Sequence, residues 1–172
     1  MKKYLGILLI AVMFSLSGAY AQKADYKFGH INSNELLSVM PERDSARLEL
    51  QNYSQMLQQE MEAMQVEYQN KVNTYLEKQE TYSELVRQSK ESEIQEMQRR
   101  VQEFQATAQQ DLQRKEQELF QPIMEKAEKA IQKVAKANGY TYVFDISAGS
   151  VVYFSEQSED IFPLVKKELG IK

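Results

Sequence analysis

The chain has no cysteine among its 172 residues. A disulfide framework is excluded, and stability has to come from packing within or between chains. Histidine is almost as scarce. The single one, His30, has no neighbouring set of Cys, Asp or Glu with which to hold a metal or run acid–base chemistry, so it reads as structural. Neither a nucleophile motif nor a glycine-rich phosphate loop is present, which points away from an enzyme and from any cofactor. Basic charge is in deficit too. With 21 Lys and Arg against 25 Asp and Glu the net charge is −4, whereas a nucleic-acid partner calls for a basic face. The most informative absence is local: between Pro41 and Pro122 there is no glycine and no proline.

What fills that stretch is Gln, Glu, Lys, Arg, Leu and Met, the residues that lose least on entering a helix. One unbroken helix of this length would measure about 120 Å, too long for a small domain to bury. It must therefore join an extended coiled coil or double back as a hairpin. The apolar spacing favours the hairpin. Tyr53, Met64 and Tyr75 are eleven residues apart, a period suited to straight or slightly right-handed association. Beyond Ile94 the spacing through Met97, Val101, Phe104, Ala108 and Leu112 is closer to heptads. Two halves with different periods do not make one continuous rod. The reversal is expected near 83–92, where apolar content thins and Ser83, Ser89 and Ser92 interrupt the good helix formers.

The flanks have a different character. Lys2, Lys3, the apolar run Leu5 to Leu16 and the box Ala19-Tyr20-Ala21 read as a cleavable export signal over 1–21. Gln22 in place of a cysteine closes the lipoprotein route, so a soluble product outside the cytoplasm is expected. Lys27 to Ile31 reads as a strand. Asn32 with Glu35 makes a capping box for a short helix, and Pro41 suits the first turn of the long one. Pro122 reads as a kink, and Asn138-Gly139 as a helix end. Tyr140 to Ile146 and Val151 to Phe154 are expected to pair as a hairpin around Gly149, with Asp145 a turn residue. A last helix, Ile161 to Leu169, should be capped by Ser158 or Asp160. The organisation is thus α+β but mostly α. Residues 22–41 and 137–172 form a small β-rich body, and 42–136 a long antiparallel helical hairpin. So few strand residues cannot build a self-sufficient core. The body should therefore join copies of the chain through Phe28, Ile31, Val143, Phe144, Val151 and Tyr153.

In this order of elements the chain resembles the Skp/OmpH family of periplasmic chaperones. The resemblance is carried most specifically by PIMEKAEKAIQKVAKANGYTYVFD (Pro122 to Asp145), VVYF (Val151 to Phe154) and DIFPLVKKELGI (Asp160 to Ile171). It implies a homotrimer whose strands form a small barrel and whose helical arms cage unfolded outer-membrane proteins without ATP. Met56, Met61, Met64, Tyr68, Tyr75, Tyr82, Met97 and Phe104 would be the client contacts, since Met and Tyr offer soft, adaptable surface. The same stripe reads equally as ordinary helix packing. Two other classes stand beside the holdase: a structural coiled-coil protein of the envelope and, more distantly, an apolar-cavity lipid carrier. The arms are acidic, so lipopolysaccharide or membrane contact does not carry over from the family.

Overall fold

The computed structural model describes residues 26–171; the expected export signal lies outside them. Strand β1 (Phe28–Ile31) leads into helix α1 (Ser33–Ser38), where the Asn32 side chain accepts from the Glu35 amide at 3.1 Å. Helix α2 (Pro41–Lys78) opens on its proline, and α3 (Glu84–Ala137) returns alongside it, continuing through Pro122. At about 1.5 Å per residue these helices measure about 57 and 81 Å. Strand β2 (Tyr142–Asp145), the two-residue strand β3 (Glu159–Asp160) and helix α4 (Phe162–Glu168) complete the chain.

The reversal between the arms is displaced from the expected window. A 3-10 turn over Gln79–Thr81 and an extended Tyr82 turn the chain, and residues 84–92 are already helical. Ser83 is not an interruption but the N-cap of α3, its hydroxyl accepting from the Val86 amide. A serine outside a helix favours its start for the same reason that it weakens an interior.

Cross-arm contacts run antiparallel. Glu42 pairs with Lys126, Glu49 with Lys115 at 2.6 Å, Tyr53 donates to Asp111 at 3.2 Å, and Tyr75 donates to Glu91. From Glu49 to Tyr75 the steps along α2, 4 and 22 residues, are matched by 4 and 20 back along α3, whereas between Glu42 and Glu49 seven residues of α2 face eleven of α3.

The core sits where the arm meets the body. Ile31, Leu36 and Met40 pack on Ile123, Ala127, Ala130 and Val134 of α3 and on Ile161 and Val165 of the last turn and helix. Ile123, Ala127, Ala130 and Val134 are spaced 4, 3 and 4, one face of a helix, and the alanines let neighbouring elements approach closely. The root of the arm is thus part of the body. Both α3 and α4 end in the same way. The amides of Tyr140 and Ile171 reach back to the carbonyls of Ala135 and Lys166, around Gly139 (φ 69°) and Gly170 (φ 70°).

The expected β-hairpin does not form. β2 and β3 flank β1 in the order β2-β1-β3, and both pair with it in parallel. Val151 to Phe154 pairs with no strand. Gly149 (φ 66°) instead belongs to a turn that starts a loop across the sheet. Parallel pairing needs a crossover, and here the entire helical arm supplies it between β1 and β2.

Candidate functional site

Alternation along β1 divides the sheet into two faces. Gly29 and Ile31 point into the core, where Ile31 is 1% exposed, while Phe28 and His30 point out. The register sets Tyr142 beside Phe28 and Phe144 beside His30, so β2 adds its aromatics to the same outer side. Ring centroids of Phe28, Tyr142 and Phe144 are 6.2 Å apart in every pair, and Tyr26 lies 6.3 Å from Phe28. The loop after β2 crosses this face. His30 stacks on Phe154 at 4.1 Å, and its Nδ1 is hydrogen-bonded to Ser158 Oγ at 2.9 Å.

The loop does not cover the face. Tyr142 is 61% exposed, Tyr153 81% and Val152 98%, and a groove runs between Phe28, Phe144 and the segment 150–155. Parallel sheets are ordinarily covered on both sides, and an aromatic patch left open marks an interaction surface. Of the six body residues singled out by sequence, Phe28, Phe144, Val151 and Tyr153 lie at this open side. Val143 packs half-buried against the core, and Ile31 is enclosed by its own chain, out of reach of a partner.

Polar groups fix the strand ends. The Asp145 carboxylate accepts from the Ser33 hydroxyl at 2.5 Å and from the amides of Ser33 and Ser147. Burial pushes its pKa up, but these hydrogen bonds, Ser33's hydroxyl foremost, outweigh burial and leave the carboxyl below its ordinary value. Glu159 is also held below the usual range, by hydrogen bonds from Tyr140 and Lys27. These are structural ties. Among the described residues no group of three His, Cys, Asp or Glu is placed to hold a metal ion.

The arm residues fall into two sets. Met61, Met64, Tyr68, Tyr75 and Phe104 are half-buried, and Met97 is 1% exposed in the packing between the helices. Tyr82 sits half-buried at the turn, 6.5 Å from Tyr75. Met56 alone of the eight is more than half exposed. The Met/Tyr stripe therefore first joins arm to arm. Leu48, Val66, Leu76, Leu85 and Val86 stand in solvent instead, and none was marked by the sequence reading. Their signal was available: each breaks the apolar phase of its helix. Near the tip an open cleft of about 570 Å³ runs along the flank of the hairpin, lined by Val66, Tyr75, Tyr82 and Ile94 together with Lys71, Lys90 and Glu93. No described helix is long and apolar enough to cross a membrane.

The shape is shared with a known protein. A crystal structure from Caulobacter crescentus CB15, described provisionally as an outer membrane chaperone (OmpH-like), superposes with a TM-score of 0.72. The two are 16% identical, and the match covers 85% of each chain, so the likeness is one of fold. No curated protein matches the chain. The family model described as Outer membrane protein (OmpH-like) matches residues 27–169, from the first strand to the end of the last helix. That match takes in the body, both arms and the return to the sheet, and the chain belongs to the OmpH-like family.

Proposed function

We propose that the protein is an ATP-independent periplasmic holdase, exported by its N-terminal signal. Three copies join through their sheets, and their arms cage unfolded outer-membrane proteins on the way to membrane insertion. The observation that carries this reading is the pairing of an uncovered aromatic sheet face with an arm whose own seam is already closed. Association through the body satisfies the sheet. It leaves the arms free to surround a client, because each hairpin has its helical partner within the same chain. The number of copies and the nature of the client rest on the family resemblance.

The closed seam also weighs against a structural coiled coil. Such a protein keeps an apolar stripe for a second chain. Here the stripe from Tyr53 to Tyr75 faces α3 of the same hairpin. The acidic arms argue against lipopolysaccharide as a ligand and suit cationic client segments better.

The test combines mass and activity. Sedimentation of the mature chain should give a trimer. Dilution of a urea-unfolded outer-membrane β-barrel protein into it should remain clear by light scattering, without nucleotide and at a fixed ratio of client to trimer. A compact monomer, or aggregation of the client at the rate seen in buffer, would refute the proposal.

A further inference from the structure

Exposed apolar side chains are shared unequally between the two arm helices. On α2, Leu48, Met56, Val66 and Leu76 are each more than half exposed. On α3 the exposed ones are Leu85 and Val86 beside the turn and Met124 toward the root, and among the described residues there is none between Val86 and Met124. At about 100° per residue, Leu48 and Val66 lie opposite the seam residue Leu57, with Met56 and Leu76 about 80° to either side. They share the open half of α2.

Around Met56 the same helix is also free of charge. From Leu50 to Gln59, α2 carries no charged residue, only Gln, Asn, Ser and apolar side chains. Ion pairs occur along α3, as Lys90 with Glu93, Arg99 with Glu103 and Arg114 with Glu118, and on α2 outside that stretch, as Arg47 with Asp44 and Lys71 with Glu67. Charged groups satisfied by neighbours and water resist being covered by an apolar segment. Neutral amides resist less, and can both donate to and accept from an exposed peptide backbone.

We infer that the client track is the open face of α2, not the Met/Tyr seam and not α3. The inference rests on the holdase reading and names the surface that performs it. The occupant is an unfolded polypeptide. Successive apolar side chains on this face are eight to ten residues apart, or about 12–15 Å along the helix. A folded partner or a second copy needs a continuous patch, which spacing of this kind does not give. An extended chain can lay one apolar side chain on each and fill the intervals with backbone-to-amide hydrogen bonds. Each contact is weak, and together they retain the client by effective concentration.

Photo-crosslinking benzophenone side chains at Met56 and Val66 on α2, and at the exposed Gln95 and Gln110 on α3, test the assignment in the full mature protein. The probe is a urea-unfolded outer-membrane β-barrel protein diluted into it. The α2 positions should label the client at least about tenfold more than the α3 positions. A combined L48Q/M56Q/V66Q/L76Q variant should hold the client on the order of tenfold more weakly at unchanged melting temperature. Equal labelling from α3, labelling from a seam position such as Met64 alone, or full retention by the combined variant would overturn the inference while leaving the holdase reading intact. A parent protein that fails to keep the client in solution would remove both.

Discussion

Gly29 offers the sharpest test of how the body is assembled. It lies on the inner face of β1, and a Cβ built there would stand 3.0 Å from Ile161 Cγ2 and 3.2 Å from the Tyr140 ring. Neither neighbour is free to withdraw. Ile161 is fully buried, and Tyr140 is fixed by its hydrogen bond to Glu159, with the Lys27 ammonium 4.3 Å from its ring centroid. Overpacking of this kind costs ~1–3 kcal/mol. The backbone here is ordinary strand, so Gly29→Ala also restricts the unfolded chain, a gain of ~0.4–1 kcal/mol. Steric cost outweighs that gain, and a net loss of about 1–2 kcal/mol is expected. Urea unfolding followed by circular dichroism reads the loss as a lower midpoint at unchanged slope. Parent and variant must be compared at one protomer concentration, since association adds to apparent stability. Pairing Gly29→Ala with Ile161→Ala should cost less than the sum of the two, because the second change removes the methyl that the first one meets. A Gly29→Ala protein as stable as the parent, or strict additivity in the double variant, would show that the sheet and α4 are not packed as described.

Three other outcomes follow from particular groups. Phe144→Ser, on the open sheet face, should shift the sedimenting species toward single chains while leaving the helical signal of the arm unchanged. Ser83→Ala removes the N-cap of α3 and should cost about 1 kcal/mol locally. Amide exchange should therefore quicken around residues 79–87 and stay unchanged at the arm root. Asp145 has a folded-state pKa below its unfolded value, so its contribution is fully present above the ordinary carboxylate range and is lost as pH falls through the folded value. Asp145→Asn should flatten that acid-side fall in melting temperature below about pH 4.

Much of the fold was legible because its signals are local. Asn32 and Glu35, Pro41, and Asn138 with Gly139 punctuate helices through bonds that span only a few residues, and a sequence displays those directly. Strand pairing is not local. Val151 to Phe154 has strong β-propensity but meets no ladder within the chain. Glu159 and Asp160, with poor propensity, are a strand because β1 lies beside them. The arm shows the same limit in another form. Residues in phase with the apolar period read equally as client contacts and as helix packing, and in the fold that phase turns Met97 toward the facing helix.

That last point bears on mechanism. A side chain in phase spends much of its surface on its own hairpin, and offering all of it to a client would break the Tyr53–Asp111 and Tyr75–Glu91 hydrogen bonds along with the packing. A side chain out of phase is available without any opening, and its loss costs the hairpin nothing. Under the proposed client track, stability and capture fall on opposite faces of α2. The arm can remain a fixed rod while its contacts with a client form and break one at a time, which is what release without an energy source demands. On the proposed holdase reading, the apolar residues that break the helical pattern, and not those that make it, are the ones whose substitution should change how the chain holds a client.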